Sequence, residues 1–114
     1  MKDFATFGVT IPNGGSLSPA ADLRGYVPYG IQMPSAWTAA GLSFQVSDDG
    51  TNFADLYDDT AEYTLATGAS RAIGFPGGNV FTGWKYIKVR SGTSGTPVNQ
   101  GADRAVKIIC RSED

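Results

Sequence analysis

The stretch from Gly41 to Asp58, GLSFQVSDDGTNFADLYD, constrains the fold of this chain more than any other. Leu42, Phe44 and Val46 alternate with Ser43, Gln45 and Ser47. A period of two is the repeat of a β-strand with one apolar face and one polar face. The alternation stops at Ser47-Asp48-Asp49-Gly50-Thr51. There the Asp side chains can bond the local backbone, and Gly50 can adopt the positive φ of a tight turn. Phe53, Leu56 and Tyr57 then carry apolar weight into a predicted returning strand. The segment is a β-hairpin whose register is fixed by its own pattern.

The rest of the chain repeats this style. Phe7, Val9 and Ile11 alternate within Phe4–Ile11, so residues 1–15 read as an N-terminal strand or extended arm. Residues 16–114 read as a single β-sandwich domain. Ser16–Leu23 is a second predicted strand, with Pro19 marking it as an edge or a bulge. Tyr26–Met33 is a third, with Val27, Tyr29, Ile31 and Met33 on one face. Short strands follow at Tyr63–Leu65 and Arg71–Phe75, then a turn at Pro76-Gly77-Gly78-Asn79. WKYIKVRS, from Trp84 to Ser91, and the closing run Ala105–Arg111 are the remaining strong strands. The chain contains 15 Gly and 6 Pro in 114 residues, which suits many short strands joined by tight turns. The predicted class is all-β: an antiparallel sandwich of about eight short strands with no long helix. A chain of this length buries roughly two-thirds of its unfolded surface and needs no metal or disulfide to hold a core.

Chemistry is sparse. The sequence has no His, which removes the commonest general base and zinc ligand. Its one cysteine, Cys110, shares a strand face with Val106 and Ile108 and reads as a buried structural thiol. Asp48-Asp49-Gly50-Thr51-Asn52 lacks the spacing and terminal Glu of a calcium loop. The carboxylates of Asp55, Asp58, Asp59 and Glu62 follow the same hairpin with no second cluster to face them, and read as solvated. No enzyme activity, metal or cofactor is expected.

The net charge is −2 and the basic residues are scattered, so no nucleic acid is expected as a partner. Lys85, Lys88 and Arg90 read as the solvated outer face of their strand. No apolar run approaches a membrane span, and no signal peptide is evident, so the expected site of synthesis and assembly is a reducing cytoplasm.

Three features remain for function. Phe4 and Phe7 are large apolar residues near a terminus, suited either to the core or to an arm on a neighbouring subunit. Trp37, in the loop Pro34–Ala40, either caps the core or offers a platform for a sugar, with Tyr26 and Tyr29 as further stacking candidates. Gly92–Asp103 is a long loop of small polar residues, of the kind that is functional or mobile. Phe4, Phe7, Thr96, Pro97, Val98 and Gln100 are the candidate partner-binding residues.

Two resemblances sharpen this reading. FQVSDDGTNFADLY, Trp84–Val89 and Ala105–Cys110 resemble the hairpin, later strand and closing strand of discoidin-like domains, which are galactose-binding-like jelly rolls. Ala21-Asp22-Leu23-Arg24-Gly25 resembles the opening of such domains, with Arg24 in place of the usual Gly. The chain is also similar to small structural proteins of tailed-phage virions, in which SLSxAxDL, GIxMPxAWTAAxLxFQxSxDG and YIKVRSGTxxxPVxQ recur. Here these are Ser16–Leu23, Gly30–Gly50 and Tyr86–Gln100.

What the resemblance implies is a bacteriophage virion component: a capsid decoration or cement protein bound to the major capsid protein. It also implies a homo-oligomer, with a trimer as the expected symmetry. A carbohydrate-binding module with a glycan as partner, or a tail or baseplate component, are the alternatives.

Overall fold

A computed structural model describes residues 3–76 and 80–112. Ten short strands form, all pairing antiparallel: β1 (Phe4–Ile11), β2 (Ala21–Asp22), β3 (Val27–Gln32), β4 (Leu42–Ser47), β5 (Ala54–Asp55), β6 (Tyr57–Asp58), β7 (Ala61–Glu62), β8 (Ala72–Gly74), β9 (Tyr86–Ser91) and β10 (Arg104–Arg111). Two four-stranded sheets, ordered β1-β10-β3-β8 and β2-β9-β4-β5, pack face to face; β6 and β7 form a separate hairpin.

The order has a simple origin. β1 pairs with β10, β2 with β9, β3 with β8 and β4 with β5. These are the nested pairs of one long antiparallel ribbon with the β4–β5 hairpin at its tip. Rolling the ribbon up adds the pairs β10–β3 and β9–β4 and gives the eight-stranded jelly-roll order. The hairpin that dominates the sequence is therefore the point where the chain reverses. The predicted sandwich is present, with the β6–β7 hairpin added to its eight strands.

Alternation places Leu42, Phe44 and Val46 of β4, Ile87 and Val89 of β9, Val9 and Ile11 of β1, and Val106, Ile108 and Cys110 of β10 in one core. One end of that core is aromatic. Phe81 meets Phe44 edge-on at 5.2 Å between centroids, and Phe75 meets Phe44 likewise at 5.6 Å. Trp37 packs against the core, and its Nε1–H donates to the Ala40 carbonyl at 3.0 Å, so it caps the core as expected.

Several strands are shorter than predicted. The returning strand is only Ala54–Asp55: Leu56 enters the core, and Tyr57 is exposed at the start of the next hairpin. Ser16–Leu23 shrinks to Ala21–Asp22 because Pro19 interrupts it. Before the break, the Ser18 Oγ stands in for a ladder acceptor and takes the Val89 N–H at 2.9 Å. β2 is an edge strand, as Pro19 implied. Tyr63–Leu65 is no strand, though both end residues are buried and Leu65 bridges to Leu42. β3 is internal, and its Pro28 is accommodated by a shift of register. Ile109 lies opposite Gly30 but Cys110 lies opposite Pro28, so Tyr29 is an extra residue on β3. Residues 77–79 of the predicted Pro76–Asn79 turn lie outside the described residues.

Phe4–Ile11 is a strand rather than a detached arm: it pairs with β10 along its whole length, from Phe4 opposite Arg111 to Ile11 opposite Arg104.

Candidate functional site

The outer face of β4 and β9 is only partly solvated: Lys85 before β9 is exposed and Lys88 half-buried, but one end of the face, at Ser43 and Arg90, is covered. Ser43 lies opposite Arg90 in the ladder, and alternation turns both away from the core. Arg90 is nevertheless only 7% exposed. Its Nη1 donates to Asp55 Oδ1 at 2.9 Å, its Nη2 to Glu62 Oε2 at 2.7 Å, and its Nε to Ser43 Oγ at 2.9 Å. The planar guanidinium thus spends its fork on two carboxylates from two different elements. The Ser43 hydroxyl passes the chain on to the Gly92 carbonyl at 2.8 Å, and Glu62 accepts the Ser94 N–H at 3.0 Å. The reading of Arg90 and Glu62 as solvated surface charges is corrected. The β6–β7 hairpin and the loop after β9 fold over them.

That network fixes the projecting part of the loop that reads from sequence as functional or mobile. Gly92 has φ +88°, and its N–H bonds the Gly41 carbonyl at 2.8 Å. Thr93 N–H meets the Thr96 carbonyl at 3.2 Å, and Val98 N–H returns to the Ser91 carbonyl at 2.9 Å. The result is a projecting turn with Thr96 and Pro97 exposed and Val98 half-buried.

Gln100 is a different case. It is 1% exposed and cannot reach a partner's surface. Its Oε1 accepts the Thr38 N–H at 2.8 Å, while its Nε2 donates to the Thr38 carbonyl at 3.0 Å and to Ser91 Oγ at 2.7 Å. The amide imitates a paired backbone and ties the Trp37 loop to the sandwich. Gln100 is therefore removed from the candidate contacts: a buried amide is fully used inside.

At the other candidate element, Phe4 is 76% exposed, whereas Phe7 is half-buried and meets Tyr26 edge-on at 6.1 Å. Phe4 lies beside Arg111, the last residue of β10, while the projecting turn precedes the start of that strand. The two elements sit at opposite ends of β10, a separation of roughly 20 Å at the usual rise per residue. They are two surfaces and not one site.

The aromatic candidates divide as well. Trp37 is committed to the core. Tyr29 lies under the Arg111 guanidinium, 4.4 Å from the ring centroid, and its hydroxyl accepts from Arg111 Nη2 at 3.1 Å. Tyr26 borders an open cleft, of about 140 Å3, formed between the turns at Gly25 and Gly83. Its other aromatic wall is Trp84, the first residue of the predicted strand Trp84–Ser91. Trp84 instead precedes β9 and is 39% exposed.

The acidic hairpin tip closes on itself. Asp49 Oδ1 accepts the Thr51 and Asn52 N–H groups, both at 2.8 Å, and Oδ2 accepts Asn52 Nδ2 at 2.8 Å. These bonds, the Asn52 backbone first, hold its carboxyl well below the usual carboxylate range. Ser47 Oγ bonds the same carboxylate at 2.9 Å and receives the Gly50 N–H at 2.9 Å. Among the described residues no three acidic or thiol side chains gather where they could hold a metal ion.

The chain matches no protein-family model and no curated protein sequence. Among solved structures it is similar to the crystal structure of the SPBc2 prophage-derived protein YomS. The TM-score is 0.59 at 14% sequence identity, over 98% of this chain and 96% of that one. At this identity the likeness speaks for the fold. A second structure, the Yersinia pseudotuberculosis-derived mitogen, aligns over 100% of this chain and 89% of its own at 12% identity. Its TM-score of 0.40 is too low to define a shared fold.

Proposed function

We propose that this protein is a structural component of a bacteriophage particle, a decoration protein that lies on the outside of the head shell and braces it through protein–protein contacts. The observation that carries this reading is the near end-to-end likeness to a prophage-derived protein. The phage-like sequence stretches support it, because they fall on the elements that set the surface. Gly30–Gly50 covers part of β3, the Trp37 cap, β4 and its turn. Tyr86–Gln100 covers β9, the Arg90 network, the projecting turn and Gln100. The major capsid protein is the partner this reading requires.

The geometry suits such a role. A decoration protein must present a contact surface already in its bound shape, since ordering a loose loop on binding costs affinity. The Arg90–Glu62–Ser94 tether presents Thr96 and Pro97 in that way. Each contact is small, at about 25 cal/mol per Å2 of apolar area buried. Repetition over a shell makes the sum large. Purified particles, probed by labelling and quantitative mass spectrometry, should carry the protein across the head at a copy number comparable to that of the shell subunit. Confinement to the tail, or absence from particles, would overturn the reading.

The Tyr26–Trp84 cleft favours a second reading, a glycan-binding module, in line with the discoidin-like resemblance of the hairpin. Stacking on Trp84 and a hydrogen bond from Lys85 would supply the chemistry. Glycan-array binding that disappears in Trp84→Ala would support it, and an array without hits would remove it.

A further inference from the structure

Among the described residues four strands lie at the edges of the two four-stranded sheets, and three of them are blunted. β2 and β5 are two residues long and β8 is three. Short edges are one of the ways native sheets avoid pairing with other chains. β1 is the exception. It is eight residues long, FATFGVTI, with no charged residue, no Pro and no break in its register with β10.

The hydrogen-bonding phase of this edge follows from one bond. The Ser112 N–H donates to the Asp3 carbonyl at 2.8 Å, so Asp3 and Ser112 form a bonded pair. In an antiparallel ladder bonded and non-bonded pairs alternate. Ala5, Phe7, Val9 and Ile11 therefore spend their backbone groups on β10. Phe4, Thr6, Gly8 and Thr10 direct both N–H and C=O outward. Among the described residues no backbone group outside β10 bonds to this strand. Their side chains lie on the outer face, where all four residues are exposed.

We infer that β1 is a dimerisation edge: two copies of this chain pair β1 with β1 in antiparallel about a two-fold axis at Phe7, joining their β1-β10-β3-β8 sheets into one. This register sets Thr6 against the partner's Gly8 and Phe4 against the partner's Thr10. All four outward-facing residues of each copy are used, for roughly eight new hydrogen bonds. A two-fold contact brings each strand against itself, which penalises any charge on it; β1 has none. The outward side chains decrease in size from Phe4 to Gly8, so the bulky end of one strand meets the small residues of the other. The Phe4 ring is laid over the partner's Thr10 and Ala105, and its exposed surface is covered. A foreign strand would need something to select it, and this edge offers neither charges nor pockets between its alternate side chains. Antiparallel edge pairing closes at two copies, so it replaces the expected trimer with a dimer.

One strand pair buries less than a permanent interface does, so the dimer is expected to form reversibly in about the 10–100 µM range. Sedimentation of the purified protein from about 1 µM to about 1 mM should show a monomer–dimer equilibrium. The Phe4, Thr6, Gly8 and Thr10 amides should gain protection from hydrogen exchange as concentration rises, while those of Ala5, Phe7, Val9 and Ile11 are protected throughout. Gly8→Pro removes one outward N–H without touching the β10 ladder, and a Cβ at Gly8 meets nothing within 4 Å. It should weaken dimerisation at least tenfold, roughly, at an unchanged circular dichroism spectrum. Thr6→Lys should do the same by placing charge on the edge. A wild-type chain that stays monomeric throughout overturns the inference. So does a dimer indifferent to both substitutions, or a monomer whose Gly8→Pro variant loses only binding to phage heads. No heads are needed to observe the dimer, so its failure is separate from failure of the decoration role.

Discussion

Arg90 Nη2 lies 2.7 Å from Glu62 Oε2, across 28 residues of sequence and beneath the loop that follows β9. The pair joins three separate elements: β9, which carries Arg90; the β6–β7 hairpin, which carries Glu62; and the projecting turn, whose Ser94 N–H shares the same carboxylate. Removing the cation would leave Glu62 and Asp55 facing each other under a loop with their charges uncompensated. Arg90→Ala is expected to cost about 3 kcal/mol of folding stability, the usual scale for breaking a buried pair from one side. Arg90→Lys should recover little of it, because a single ammonium cannot serve both carboxylates and the Ser43 hydroxyl at once. Urea denaturation of the two variants checks both statements.

Gln100 is the second internal tie. Gln100→Leu keeps much of the volume but leaves the Thr38 N–H and carbonyl without partners. The expected loss is about 2 kcal/mol, the desolvation cost of buried polar groups left unpaired. The effect should be local as well as global. Trp37 precedes Thr38, so its fluorescence should shift to the red as the cap loosens.

Alternation made the core legible. Leu42, Phe44 and Val46 are readable as inward because Ser43, Gln45 and Ser47 between them are polar, and Val106, Ile108 and Cys110 because they share one face at a period of two. The same rule misjudged Arg90. Period two says which way a side chain points, and not what will fold over it. The cover comes from Glu62 and Ser94, which no local pattern ties to Arg90. Gln100 was misread for a related reason: a polar residue in a Gly- and Thr-rich loop has the composition of surface. Tyr29 was placed with Val27 and Ile31 by strict alternation, and the extra residue opposite Ile109–Cys110 breaks that count. The β6–β7 hairpin left only a faint signal, the Asp58-Asp59-Thr60 run. Asp59 takes φ +63°, which Asp tolerates better than most residues.

Cys110 should be inert in the native protein. It is buried among Val106 and Ile108, and burial pushes its thiol up to about 12. Almost no thiolate exists at pH 8, and the side chain is only 1% exposed. Thiol titration with a chromogenic disulfide should be slow in buffer and fast in denaturant. The native rate should track global unfolding, and stoichiometric labelling of the folded chain would contradict this placement.

Gly92 is required where it stands. Its φ is +88°, and a Cβ there would lie 2.5 Å from the Thr96 carbonyl oxygen and 2.8 Å from the Val98 nitrogen. Both obstacles are backbone and neither can swing aside. Gly92→Ala should cost more than about 1 kcal/mol, the ordinary penalty for losing glycine's freedom, because the clash adds to the strain. Under the decoration reading it should also weaken attachment to heads, since Thr96 and Pro97 move with the turn. Gly95→Ala, whose Cβ meets nothing within 4 Å, is the matched control and should leave both stability and attachment nearly unchanged.

The hairpin tip predicts an acid response. The Asp49 carboxylate is held below its ordinary range by the Asn52 and Thr51 N–H groups, then by the Asn52 and Ser47 side chains. A carboxyl depressed in the folded state stabilises the fold fully above its unfolded pKa of about 3.9, and that contribution is lost as pH falls toward the folded value. The wild-type chain should therefore lose stability on acidification below about pH 4 in part through this group. Asp49→Asn keeps one acceptor oxygen for the turn but has no proton to take up. The variant should be less stable at pH 7, because a neutral amide is a weaker acceptor than a carboxylate. The gap between the two proteins should close as pH falls. Thermal melts of both from pH 7 to about pH 2 measure it, and a gap independent of pH would mean that the carboxylate's charge contributes nothing to the turn.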